Sequence, residues 1–157
     1  MNLAVVTGAT GCVGRNLVEV LLKDNWEVVA LHRKSSDLSR LDGCGVRCQP
    51  VELHDLDSTR NSIPVGVSAI FHVAANTSHW HIDEATQWKD NVLATRNLVA
   101  AALEKKVKRF IFTSTGATRF FQETDSESAA RIPIPYVRTK RLAEREIYQG
   151  MNQGLDA

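Results

Sequence analysis

The sequence predicts an α/β protein, a doubly wound parallel sheet with helices on both faces. Three observations carry that expectation. Short β-branched runs alternate with segments of helical period along the chain. The first run ends in spaced glycines that open a helix. No linker, repeat or low-complexity stretch divides the 157 residues.

The elements follow in order. Asn2 to Thr7 reads as a buried strand. Thr10 to Asp24 carries Val13, Leu17, Val20 and Leu21 on one helical face. Trp26 to His32 is a second strand, and Val46 to Val51 a weaker third. Ala69 to Ala74 is a fourth. Glu84 to Lys105 is a long helix with Trp88, Val92, Val99 and Leu103 at helical spacings. Arg109 to Ser114 is a fifth strand, and Tyr136 to Tyr148 a final helix. The polar segments Ser36 to Leu41 and Asp55 to Ser62 read as turns or single helical turns. Thr115 to Pro135 is a connection of about twenty residues without clear period, a length usually associated with function.

Composition excludes several classes. With 19 basic and 18 acidic residues the net charge is +1, so there is no surplus for general nucleic-acid or acidic-membrane binding. The longest basic run is the short Lys105-Lys106-Val107-Lys108-Arg109. The 43% of hydrophobic residues suffices for one packed core. No apolar run reaches the ~18 residues of a membrane span. The N-terminus lacks the pattern of a signal peptide. Cys12, Cys44 and Cys48 would leave one thiol over from any disulfide, so a reduced cytoplasmic setting is expected.

The chemistry concentrates in a few places. Thr7-Gly8-Ala9-Thr10-Gly11-Cys12-Val13-Gly14 joins a strand to a helix. Gly8 permits a tight turn, Gly11 a close approach to a pyrophosphate, and Gly14 tight packing of helix on sheet. The helix N-terminus then holds the anion. The glycine spacing differs by one residue from Gly-x-Gly-x-x-Gly, so the loop is a variant of that fingerprint. At the end of the second strand an acidic residue would select NAD. His32-Arg33-Lys34-Ser35 stands there instead and suits a 2′-phosphate, which favours NADP while leaving NAD open. The last helix opens Tyr136-Val137-Arg138-Thr139-Lys140, with Tyr136 and Lys140 one turn apart on one face. An ammonium beside a phenol lowers its pKa from ~10 and fits it for proton transfer to or from a carbonyl oxygen.

Together these motifs resemble the short-chain dehydrogenase/reductase superfamily, and its extended NAD(P)-dependent epimerase/dehydratase branch more closely. Beside the glycine loop, the resemblance rests on three further stretches. These are Phe71-His72-Val73-Ala74-Ala75, Asn91-Val92-Leu93-Ala94-Thr95-Arg96-Asn97-Leu98 and Phe110-Ile111-Phe112-Thr113-Ser114-Thr115. The resemblance implies a Rossmann-type domain over residues 1–157, with the family's C-terminal substrate domain absent and the fifth strand partly uncovered. It implies Thr115, Tyr136 and Lys140 as catalytic residues, with Ser114 second choice to Thr115. Lys140 would tune Tyr136 and orient the nicotinamide ribose. Asn91 would be the family's structural asparagine. Gly8, Thr10, Gly11, Cys12, Val13, Gly14, His32, Arg33, Lys34, Glu52, Leu53, Ala74, Ala75, Tyr136 and Lys140 would bind the cofactor, with Glu52 beside the adenine.

Departures from the family narrow the expectation. Gly116-Ala117 follows Thr115 where dehydratases carry an acid pair. Thr118-Arg119-Phe120-Phe121 replaces the Tyr-Gly of sugar epimerases. This looks more like the dihydroflavonol-reductase-like enzymes, which use NADPH on a carbonyl substrate. A nucleotide-sugar epimerase and a non-catalytic NAD(P)-binding sensor or truncated remnant stay open as alternatives. The resemblance also implies a possible homodimer through the Glu84–Lys105 and Tyr136–Tyr148 helices. His79-Trp80-His81 is a candidate for substrate contact. Cys44, Cys48 and His54 lack standard metal spacing, so reduced cysteines are the simpler reading.

Overall fold

A computed structural model describes residues 2–78, 84–120 and 131–157. Its strands are β1 (Leu3–Thr7), β2 (Glu27–His32), β3 (Arg47–Pro50), β4 (Ala69–His72) and β5 (Arg109–Phe112). They form one parallel sheet in the order β3-β2-β1-β4-β5. The connections leave β1 towards β2 on one side and return to β4 on the other. The crevice at the carboxyl ends of β1 and β4 is therefore the topological switch point where such sheets bind ligands.

The sheet separates two apolar layers. Val5 pairs in register with Val29 and Ile70, and these side chains join Leu31, Leu98 and Phe110 in one layer. Ala4, Val6, Val28 and Ala30 point the other way and meet Val18 and Leu21. Alternation with both faces apolar is what a sheet covered on both sides requires.

Helix α1 (Cys12–Lys23) buries Gly14, Val18 and Leu21, a spacing of four and three. The expected stripe of Val13, Leu17, Val20 and Leu21 is thus misphased, since Val13 and Val20 are more than half exposed. The correction has a steric cause. Gly14 has no side chain to score as hydrophobic, yet its bare backbone is what lets the helix touch the strand-end loop. Helix α2 (Leu56–Ser62) makes the Asp55–Ser62 segment a true helix, capped by Asp55 accepting from the Ser58 amide.

The long helix expected over Glu84–Lys105 is interrupted. Helix α3 (Glu84–Trp88) runs into a π-helical stretch, Lys89–Leu93, and then helix α4 (Ala94–Glu104). The wider π turn carries Asp90 and Asn91 and shifts the phase of what precedes it. Trp88 is consequently exposed while Val92 is buried. A 3-10 turn, Gly116–Phe120, follows β5, and the last helix, α5 (Pro135–Asn152), is longer than expected. Pro135 opens it at a position where its missing N–H costs nothing.

The last residues of the chain pack against the outer edge of β5. Leu155 is buried in the core, the Phe110 amide donates to the Asp156 carbonyl at 2.7 Å, and Arg109 pairs with the Asp156 carboxylate at 3.0 Å. Among the described residues no helix is long and apolar enough to cross a membrane.

Candidate functional site

A cleft of about 550 Å³ opens at the carboxyl ends of the strands. Its floor is the glycine loop. Gly8 has φ +69°, and a Cβ there would lie 2.7 Å from the Ala74 amide nitrogen. A Cβ on Gly14 would collide with the Gly8 carbonyl oxygen. Both positions therefore demand glycine, for backbone conformation in one case and close approach in the other. Helix α1 starts directly above the floor. Its N-cap, Gly11, supplies no side-chain cap, and no acidic residue sits in the first turn. Main-chain amides and the helix dipole thus face a space that a side chain would otherwise fill. That cradle fits a pyrophosphate.

Thr10, Gly11, Cys12 and Val13 join Gly8 and Gly14 in the lining. His32, Arg33, Glu52 and Leu53 form the far end, and Ala74 with Ala75 the wall beside β4. Lys34 is an exception among the expected residues. It is exposed and does not line the cleft, because the chain turns outward after Arg33 and brings Ser36 back instead. Sequence reasoning missed Lys89 and Asp90, which line the cleft from the π stretch. Asp90 accepts from the Arg33 guanidinium at 3.0 Å and from the Asn76 side-chain amide at 3.0 Å.

Behind the cleft wall lies a buried polar chain. The Ala74 amide donates to Thr7 Oγ1 at 3.1 Å. Thr95 Oγ1 donates to the Asn91 carbonyl at 2.6 Å, so it can only accept from His72 Nε2, 2.9 Å away. That leaves His72 Nδ1 as an acceptor, served by the Thr7 hydroxyl at 2.8 Å. The ring is therefore neutral and its tautomer is set by its neighbours. Burial, and secondarily the Lys140 charge, hold its pKa down to about 3.

Asn91 continues the network. Its side chain accepts from the Asn76 amide at 2.7 Å and donates to the Asn76 carbonyl and to Thr139 Oγ1, both at 2.9 Å. Thr139 in turn donates to the Tyr136 carbonyl at 3.0 Å. One asparagine thus fastens the loop after β4 to the first turn of α5.

That turn carries Tyr136, whose hydroxyl feels the Thr115 side chain, which acts to lower its pKa. Ser114 is turned away: its hydroxyl donates to Glu144, which also accepts from Thr118 and Arg141. The geometry separates the two candidates, with Thr115 beside the phenol and Ser114 tied to the helix. Lys140 donates from Nζ to the Thr113 carbonyl at 2.6 Å and lies 4.0 Å from the Phe112 ring centroid. Burial lowers its pKa to about 8, against an opposing pull from Glu144. The expectation that Lys140 lowers the Tyr136 pKa is corrected here. Burial raises it, and the neighbouring Thr115 side chain offsets part of the rise. The ammonium is engaged by Thr113 and Phe112, so the phenol gains little from it. Tyr136 and Lys140 are not among the residues lining the cleft. His79, Trp80 and His81 lie outside the described residues.

A parallel sheet in this order, with an anion cradle at its switch point, defines a nucleotide-binding α/β protein. The chain belongs to the NAD dependent epimerase/dehydratase family, whose family model matches residues 4–156. It is 33% identical over 96% of its length to a Synechocystis sp. protein provisionally named dihydroflavonol 4-reductase, covering 46% of that protein. It is 35% identical over 97% of its length to sterol demethylase protein B of Methylococcus capsulatus, covering 48% of it. A short-chain dehydrogenase/reductase superfamily protein from Agrobacterium tumefaciens, solved with bound NAD, superposes with a TM-score of 0.78 at 27% identity. That match covers 99% of this chain and 47% of the other. The chain spans about half the length of the curated relatives it matches.

Proposed function

We propose that the chain forms the cofactor-binding part of an NADPH-dependent reductase acting on a small carbonyl substrate. The placement of Tyr136, at the start of α5, beside Thr115, just past β5, carries the proposal. A phenol held by a hydroxyl at the carboxyl edge of the sheet suits proton transfer to a carbonyl oxygen. The glycine loop and α1 would hold the pyrophosphate, Glu52 the adenine, and Arg33 the 2′-phosphate. When bound, the dinucleotide supplies a hydride to the carbonyl carbon.

Tyr136 delivers its phenolic proton to the oxygen as that carbon is reduced. Thr115 donates a hydrogen bond to the same oxygen and fixes its position. The raised pKa of Tyr136 suits it to the reductive direction, because the phenol stays protonated. Lys140 shapes the site by bracing Thr113 at the end of β5, and within reach of a bound dinucleotide it would also orient the nicotinamide ribose. A reducing cytoplasmic setting is part of the reading, because the three cysteines Cys12, Cys44 and Cys48 would leave one thiol over from any disulfide. The reading includes a homodimer through the helices that carry Trp88 and Tyr148, which are 38% and 57% exposed.

The test is NADPH binding by fluorescence, followed by NADPH oxidation with a carbonyl panel, on wild type and Tyr136→Phe. The expected result is binding by both and turnover by wild type alone. Binding without Tyr136-dependent turnover overturns the reductase reading and leaves a cofactor-binding protein.

A further inference from the structure

The Arg33–Asp90 pair joins opposite lips of the cleft. Arg33 follows β2 and its side chain is 63% exposed. Asp90 comes from the π stretch, its side chain is 15% exposed, and its Oδ2 is shared with the Asn76 amide. The aspartate is thus the fixed member and the arginine the movable one. A guanidinium that meets a 2′-phosphate must turn its donors towards that group. A carboxylate 3.0 Å away competes for the same donors and repels the incoming phosphate charge.

We propose that Asp90 is a specificity-determining residue that acts as an internal competitor for Arg33. It holds the guanidinium across the cleft mouth, and a 2′-phosphorylated nucleotide must displace it. A nucleotide with a free 2′-hydroxyl has no phosphate to exchange for the carboxylate and gains nothing from its removal. Asp90 therefore lowers the preference for NADP over NAD below what Arg33 alone would give. The inference rests on the reading of Arg33 as the 2′-phosphate contact.

The test uses 2′,5′-ADP and 5′-AMP as probes, with binding measured calorimetrically on wild type, Asp90→Asn, Arg33→Ala and the double variant. Asparagine keeps an acceptor for Asn76, and melting temperatures report the integrity of each variant. Asp90→Asn is expected to tighten 2′,5′-ADP about fivefold (about 1 kcal/mol at 1.4 kcal/mol per tenfold) and to leave 5′-AMP within twofold. In the Arg33→Ala background the gain is expected to fall below twofold. An Asp90→Asn variant that binds 2′,5′-ADP as wild type does overturns the competitor role, and so does a gain that persists in full without Arg33. If Arg33→Ala binds 2′,5′-ADP as tightly as wild type, the NADP reading itself fails.

Discussion

Replacing His72 by glutamine should flatten the acid limb of the protein's stability. The imidazole is buried between Thr7 and Thr95 with its pKa held at about 3, against 6.5 when exposed. Between those values the unfolded chain binds a proton that the folded chain refuses. Stability contributed by the neutral ring is therefore complete above about pH 6.5 and is lost as the pH falls towards 3. At 1.36 kcal/mol per pH unit the full span is about 5 kcal/mol. From pH 7.5 to 5 the loss is about 2 kcal/mol, and at pH 4 about 3 kcal/mol. Glutamine offers an acceptor to Thr7 and a donor to Thr95 but does not titrate. The assay is urea unfolding of wild type and His72→Gln at pH 7.5, 5 and 4. Carboxylates elsewhere contribute to both proteins, so the difference in slope isolates the ring. Parallel stability curves across that range would refute a neutral, buried His72.

Four further outcomes follow from the same geometry. Gly14→Ala drives a methyl into the Gly8 carbonyl, so it should destabilise the fold by about 2 kcal/mol and abolish NADPH fluorescence enhancement. Asn91→Ala leaves the Asn76 amide without its acceptor and the Asn76 carbonyl with only the longer 3.3 Å bond from Gln87, and should lower the urea midpoint by the equivalent of about 2 kcal/mol. Lys140 is shifted down from 10.5 to about 8, so its buried charge weakens the fold below pH 8 and the penalty lifts as the pH rises to 10.5; wild type should gain about 2 kcal/mol relative to Lys140→Met between pH 7 and 9.5. Sedimentation should find a homodimer that Tyr148→Glu dissociates, and a monomer at high concentration would remove that assembly.

The parts of this structure written in the sequence are those set by local rules. The strand runs lie within one or two residues of all five strands; β1 and β2, buried on both faces, leave a nearly unbroken apolar signature, whereas the edge strand β3, Arg-Cys-Gln-Pro, has no buried residue and reads more weakly. The glycine loop was legible because its steric demand falls on neighbouring residues. What escaped depended on partners far along the chain. Nothing near Asp90 announces Arg33, and nothing near His72 announces Thr7 and Thr95. The core stripe of α1 is not legible from apolarity, because Val13 and Val20 are apolar yet face outward, Val13 towards the cleft. The carboxyl-terminal limits of β4 and β5 were drawn too long for a related reason. Their last residues form the cleft wall and the Thr115 turn, with only the Thr113 amide still bonded to the His72 carbonyl at 3.1 Å.

The π stretch has a consequence that concerns chain length rather than residue identity. A π turn is an α-helix holding one residue too many. Deleting a single residue within Lys89–Leu93 would restore regular winding and rotate everything before it by about 100° relative to α4. Glu84 would swing away from its ion pair with Arg138 on α5, and either Asp90 or Asn91 would lose its present direction. A scan that changes residues one at a time would find this stretch tolerant at several positions. A scan of insertions and deletions would find it rigid, because here the count of residues is itself the conserved quantity of the geometry.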